Sequence, residues 1–418
     1  MTPLILCLAV LGADGPRFIE DDFGRALAQA KKERKLLFVD TWAPWCHTCI
    51  YMREHVLNRP AFRAFEKDVV FAALDTEKPS SVAFLEKYPV DVLPTLFFLD
   101  PSKDQLVFKW LGSTDETQMR GLLEAARGGS GVVSEADGLL AAGHPEDAAQ
   151  KYLVGLKGSA PQSRGRAVLS LLSALTLAKS FEACARTAVE HLGDLEGPDE
   201  KANGLTWGLG CALELPVSAE RGTAVEALSK AGRALLASQE LGSILADDVS
   251  GLYEELVEAS SQAGETQGLA REWLQYLDGQ AAKATSPAAR AVFDPHRVAA
   301  ALAAKVPEKM VEPLQRSEKE LPKDYNPPAR LALVLRELGR LDEALAAADR
   351  ALAKCDGGPR KLRLFDTKVS ILEKQGKLDA RKKVLGEMVL YAKHLPGAQM
   401  SQTRIAALEK RLAQASQP

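Results

Sequence analysis

The sequence predicts two folds in series: an α/β unit over residues 17–127 and an all-α solenoid over residues 132–415. Three observations carry this. Apolar runs of strand length alternate with helical periodicity through the first part, the pattern of an α/β sandwich. A Gly/Ser-rich stretch, 128–131, then interrupts the pattern and reads as a flexible linker. Beyond it strand patterns vanish, and Ala, Leu, Glu, Lys and Arg recur at the period of paired helices. A chain of 418 residues, 46% hydrophobic and 26% charged, suits two or three globular domains. A net charge of −3 gives no basic face, so no nucleic-acid partner is expected.

The elements follow in order. Residues 1–13 form a short apolar stretch ending in small residues, too short to span a bilayer, and read as a secretory signal. Only the N-terminal amine supplies positive charge there. Leu6 stands before Cys7, where a lipid-modification site requires a small side chain. Residues 18–31 read as a helix through Phe23, Leu27 and Ala30, and residues 36–42 as a buried strand. Cys49, Met52, Val56, Phe62 and Phe65 recur on a helix broken near Pro60. Residues 69–74 read as a second strand and residues 80–87 as a short helix. Residues 95–99 and 106–110 flank a Pro-Ser-Lys-Asp turn and predict a hairpin, after which residues 115–126 form an acidic-start helix.

The chemistry lies in Trp45-Cys46-His47-Thr48-Cys49. A cysteine at a helix N-terminus faces the positive end of the helix dipole and free backbone N–H groups, which stabilise its thiolate. Cys46 is expected there as the exposed nucleophile, with Cys49 one turn inward as the resolving thiol. Trp45 would shield the pair and offer clients a flat apolar face. His47 reads either as an imidazolium that favours the Cys46 thiolate or as an exposed spacer. His55 lies two turns along the helix and does not converge on the cysteines. No metal and no cofactor are expected.

Residues 17–127 resemble the thioredoxin family through the run from Val39 to Cys49, Tyr88-Pro89-Val90 and Leu93-Pro94-Thr95. The run from Glu54 to Phe62 is similar to the subgroup holding the C-terminal periplasmic domain of the reductase DsbD. The resemblance implies a cis peptide before Pro94, facing the disulfide, with Leu93 offering backbone hydrogen bonds to an extended client. It also implies that Asp40 is a buried carboxylate beneath Cys49 that takes the resolving thiol's proton. Two positions depart from the family: a partner lysine is missing from the strand Val70-Phe71-Ala72-Ala73-Leu74, and Thr48 replaces a proline.

In the second region, Leu338-Gly339-Arg340-Leu341-Asp342 returns 37 residues on as Gln375-Gly376-Lys377-Leu378-Asp379. Weaker copies begin at Ala142-Gly143-His144 and Ala178-Lys179-Ser180. These resemble the tetratricopeptide repeat, with a polar or glycine turn between two helices. The match is good at 328–356, fair at 133–195 and 360–395, and poor between about 198 and 300. Trp207, Tyr253 and Trp273 are expected in the core. His144, His191, His296 and His394 are scattered, and no residues of this region are expected to converge on a site. Cys184, Cys211 and Cys355 form an odd remainder, of which at least one is expected to be a buried thiol.

The reading is a thiol–disulfide oxidoreductase, acting as a reductase on protein cysteines and fed by an upstream redox partner. The repeats would bind a protein or peptide. The alternative is an interaction scaffold or co-chaperone whose thioredoxin-like part is a docking unit. A periplasmic or secreted location follows from the signal reading, with a cytoplasmic one as alternative.

Overall fold

The computed structural model describes residues 15–90, 92–128, 132–158, 161–260 and 263–415. The predicted signal segment and residues 129–131 of the glycine-rich stretch lie outside these. Five strands, β1 (Phe18–Glu20), β2 (Leu36–Trp42), β3 (Val69–Asp75), β4 (Thr95–Asp100) and β5 (Gln105–Leu111), form one mixed sheet in the order β1-β3-β2-β4-β5. The first two pairings are parallel and the last two antiparallel. Helices α1 (Phe23–Glu33), α2 (His47–Met52), α3 (Val82–Lys87) and α4 (Glu116–Gly128) cover its faces.

Side chains alternate across the sheet as the period-2 pattern requires. Leu37, Val39, Val70, Ala72, Leu74, Phe97 and Leu99 face α1 and α3. Phe38, Phe71, Phe98 and Phe108 face the opposite side, in the core that includes Met52, Met119 and Leu123.

The expected helix over residues 18–31 begins late, because its first residues are a strand. Phe18–Glu20 pairs with β3, and Asp22 caps α1 by accepting from Arg25 N–H at 2.9 Å. Three residues are too few to show alternation. Tertiary packing decides the matter: the Phe18 ring meets Phe71 edge-on at 5.5 Å. The helix through Cys49 passes into a π-turn at Arg53–Leu57 and, beyond Arg59, a 3-10 segment at Pro60–Lys67. Helix α4 runs on through Gly128, the first residue of the expected linker, and the preceding Arg127 is paired with Asp68 at 2.9 Å.

The rest of the described chain is helical: α5 (Val132–Ala141), α6 (Pro145–Gly158), α7 (Pro161–Leu177), α8 (Phe181–Glu190), α9 (Pro198–Leu213), α10 (Ala219–Leu236), α11 (Ala246–Ala259) and α12 (Ala263–Lys283). There follow α13 (Pro287–Ala291), α14 (Asp294–Ala303), α15 (Val311–Glu320), α16 (Asn326–Glu337), α17 (Leu341–Lys354), α18 (Arg360–Lys374), α19 (Leu378–Lys393) and α20 (Gln402–Gln414). Successive helices pack as neighbours, α16 on α17, α17 on α18 and α18 on α19. This is a tetratricopeptide-like array.

Its turn signature is physical. Gly143, Gly339 and Gly376 sit at φ 84°, 73° and 69°, left-handed values that glycine adopts without strain. Lys179 holds the same place in the weaker copy at φ 54°, which is why that repeat is hard to see in the sequence. Trp273 and Tyr253 are buried, and Trp207 packs against the core from a half-buried position. Helix α5 packs on β5, so one apolar core runs from the sheet through Leu140 and Leu169 into the array.

Candidate active site

Strand β2 ends in Trp42, and Ala43 then accepts the Cys46 N–H at 3.0 Å, turning the chain into α2. Cys46 is the N-cap of α2, and its sulfur accepts the Cys49 N–H at 3.1 Å. The two cysteines form a disulfide, with Cα atoms 5.3 Å apart. The Leu93–Pro94 peptide is cis, and Leu93 packs with Trp42, Trp45 and Ala43 around the two sulfurs. Asp40 sits in β2 opposite Ala73 on one side and Leu96 on the other, so no lysine reaches it from either neighbouring position. Neither carboxyl oxygen of Asp40 has a hydrogen-bond partner among the described residues. Burial pushes its pKa up to about 7, with Arg53 opposing. Arg53 itself lies on the Trp42 ring at 4.6 Å and pairs with Glu20.

The dithiol is not exposed. Cys46 is 5% exposed and Cys49 0%, because the helical array lies across this end of the sheet. The expectation of an open nucleophile therefore fails, for reasons set by residues some 280 to 320 positions away. Arg363 of α18 stacks its guanidinium on Trp45 at 3.6 Å. The Trp45 indole N–H donates to the Glu77 carboxylate at 2.8 Å. Asn326 of α16 donates to the Pro44 carbonyl at 2.9 Å, and Gln399 donates to the Thr76 and Lys78 carbonyls, each at 3.0 Å.

Arg360 anchors this cover. Its guanidinium donates to Glu77 at 2.6 Å and to both Asp75 oxygens at 2.6 and 2.7 Å, and its backbone N–H reaches Glu77 at 2.9 Å. Burial alone would lower the guanidinium's pKa, but Asp75 and Glu77 more than offset this and hold it above its usual value. Gly358, just before Arg360, has φ 75°, and a Cβ there would stand 2.6 Å from the Glu77 carbonyl oxygen.

His47 is no exposed spacer either. Its Nδ1 lies 2.7 Å from Asp247 Oδ1 on α11 and 3.3 Å from Thr48 Oγ1. His296 of α14 brings Nε2 to 3.2 Å from the same Asp247 oxygen, and its ring centre lies 3.8 Å from that of His47. Burial works against the Asp247 charge, yet His47 and His296 together hold its carboxyl far below the usual carboxylate range. Burial, followed by the nearby His47, pushes His296 down. His296 was expected to stand apart, and the helical region was expected to contribute nothing to a site. Both expectations are corrected by packing that brings α11 and α14 onto α2. One sign in the sequence was available: Asp247 and Asp248 are paired acids in the first turn of a helix.

A second disulfide, Cys184–Cys211, joins α8 to α9 with Cα atoms 6.0 Å apart. Cys355 is the free, buried thiol among the described residues, and burial raises its pKa. No helix of the described residues is long and apolar enough to cross a membrane.

A parallel–antiparallel sheet carrying a Cys-x-x-Cys at a helix N-terminus, with Leu93 of a cis Leu93–Pro94 peptide packed against it, defines a thioredoxin-like domain. Residues 19–101 match the family described as Thioredoxin-like, which makes this N-terminal part a domain of that kind. Among curated proteins, an H-type thioredoxin of Oryza sativa subsp. indica is 30% identical over 83 residues, 19% of this chain. The chain spans 62% of that relative's length. Among solved structures, a Bacteroides thetaiotaomicron protein bearing the name of a disulphide isomerase is 31% identical. It aligns with 28% of this chain and 98% of its own at a TM-score of 0.26. Acl4, the assembly chaperone of RpL4, aligns with 68% of this chain and 96% of its own, at 14% identity and a TM-score of 0.34.

Proposed function

We propose that this protein is a thiol–disulfide oxidoreductase whose dithiol is covered by its own helical array. The observation that carries the reading is Cys46 at the N-cap of α2, bonded to Cys49, with Asp40 buried and unpartnered on the strand that leads into the pair. In the reduced protein the Cys46 thiolate attacks a client disulfide, forming a mixed disulfide and releasing one client thiolate, which takes a proton. Cys49 loses its proton to Asp40 and attacks the Cys46 sulfur, releasing the second client thiol. Two electrons and two protons pass to the client, and an upstream dithiol restores Cys46 and Cys49. The subgroup resemblance favours this reducing direction, while a charged His47 favours the opposite one.

Trp45, Leu93 and Pro94 would line the client groove once Arg363 leaves the Trp45 ring. The array would then act as a protein-binding module that admits clients by moving. The Cys184–Cys211 disulfide supports an oxidising compartment, such as the periplasm or the exterior, since such bonds persist there. The test is insulin reduction by the full chain, coupled to a dithiol reductant, with a Cys46→Ser control and a Cys49→Ala trap. Mixed disulfides through Cys46 are expected; equal behaviour of wild type and Cys46→Ser would overturn the enzyme reading. The 5% exposure of Cys46 favours a second reading, in which the thioredoxin-like domain is a docking unit of a scaffold. A trap that captures nothing, with the helical array still binding a protein partner, would favour it.

A further inference from the structure

We propose that His47, Asp247 and His296 form a binding site for one divalent transition-metal ion, which fastens the helical array onto the dithiol. The three donors come from α2, α11 and α14, so no two of them are neighbours on one helix. Their donor atoms all lie within 4.8 Å of one another. Two of the separations are 2.7 and 3.2 Å, both meeting at Asp247 Oδ1. Zinc bonds imidazole nitrogen and carboxylate oxygen at about 2.0–2.2 Å, which places tetrahedral donors roughly 3.4 Å apart. The cluster is already near that size, and shifts of well under a side-chain length would seat an ion.

The donor set names the class of ion. Two imidazoles and one carboxylate suit zinc, cobalt, nickel, copper or iron, whereas calcium and magnesium take all-oxygen cages. Three protein donors leave at least one position for water. Without an ion, two imidazoles approach one carboxylate oxygen with their rings 3.8 Å apart, and each must spend its N–H on that single acceptor. An ion gives both nitrogens a common partner and frees their hydrogens for the opposite ring position. Surrounding groups fix the donors in place: Thr48 Oγ1 lies beside His47, and the Trp273 ring centre is 5.7 Å from that of His296.

The placement gives the ion a consequence. His47 follows Cys46 directly, while Asp247 and His296 belong to the cover. An ion held by all three binds only the closed arrangement and stabilises it in proportion to ln(1 + [M]/Kd). Each decade of free ion above Kd should slow opening-limited attack on the disulfide about tenfold.

The test uses the full chain with the Cys46–Cys49 bond intact, so that no thiolate from this pair can ligate. Cobalt alone, then zinc in competition, is titrated while visible absorption is followed. One ion per chain, with bands of a four- or five-coordinate nitrogen–oxygen site, is expected. Asp247→Asn and His296→Ala should each weaken binding at least about tenfold. His144→Ala and His394→Ala, exposed and remote, should leave it unchanged. Should either site variant unfold, nitrogen-15 signals of the wild-type histidines decide: zinc must perturb His47 and His296 and spare the other four. Absence of saturable binding, or perturbation confined to other histidines, overturns the site. Neither result depends on turnover, so the oxidoreductase reading stands or falls separately.

Discussion

Replacing Arg360 by alanine should open the dithiol to solvent. Its side chain is 7% exposed, and the carboxylates it serves, Asp75 and Glu77, are 1% and 6% exposed. Alanine removes three charge-assisted hydrogen bonds and leaves two buried carboxylates without a cation. The backbone bond from residue 360 to Glu77 survives in part. Breaking a buried pair from one side costs roughly 3–5 kcal/mol, mainly because the abandoned charge stays desolvated. The abandoned charges regain water when the array lifts, so nearly all of this cost falls on the closed arrangement. At about 1.4 kcal/mol per decade, the open fraction should rise between about 10² and 10⁴. The assay is the rate at which dithiothreitol reduces Cys46–Cys49 in the full chain, read by alkylation and mass. A rate at least about 100-fold above wild type is expected. An unchanged rate in a variant of native helicity would refute the reasoning, since reductant would then reach the sulfurs without any opening.

Three further outcomes follow from other parts of the molecule. Asp40 titrates near 7 when folded against about 3.9 when unfolded, so the folded state holds its proton more tightly and stability falls as pH rises from about 4 to about 7. Asp40→Asn should abolish that slope, gaining up to ~4 kcal/mol on wild type between pH 4 and pH 8 in urea unfolding; parallel pH curves would contradict it. Gly358→Ala meets both a left-handed φ and the Glu77 carbonyl, so reduction of the dithiol should quicken as for Arg360→Ala, whereas Gly386→Ala, in open space on α19, should have no such effect. Removing Cys184–Cys211 by double alanine substitution should cost roughly 2–4 kcal/mol in thermal unfolding while leaving the Cys46–Cys49 reduction rate near wild type; a large rise in that rate would mean that the α8–α9 link holds the cover down.

Much of the thioredoxin-like part was legible because its signals are local. The run 36–42 alternates faces, and its cysteines stand where a strand turns into a helix. Phe18–Glu20 was missed because a three-residue strand has no period of its own and exists through the rings it packs against. The repeats were legible where glycine marks the turn, at Gly339 and Gly376, and faint where Lys179 occupies the same conformation. The cover could not be read at all. Nothing in the spacing of His47, Asp247 and His296, or of Glu77 and Arg360, says that they meet; that depends on the summed curvature of the intervening helices. Sequence patterns reveal how each helix packs on the next, whereas a contact 283 residues apart is a property of the whole arc.

The distances along the chain also set an order in time. The contacts that hide Cys46 and Cys49 are supplied by Asp247, His296, Asn326, Arg360 and Gln399, all made after the thioredoxin-like segment they cover. Domains fold as units from the N-terminus during synthesis, so the sheet and its cysteine pair are complete while most of the array has yet to be made. Through that interval the sulfurs are open to any oxidant or partner, and the pair can be oxidised before the array arrives. The molecule is born with its reactive centre uncovered and shields it with the later-made part of its own chain.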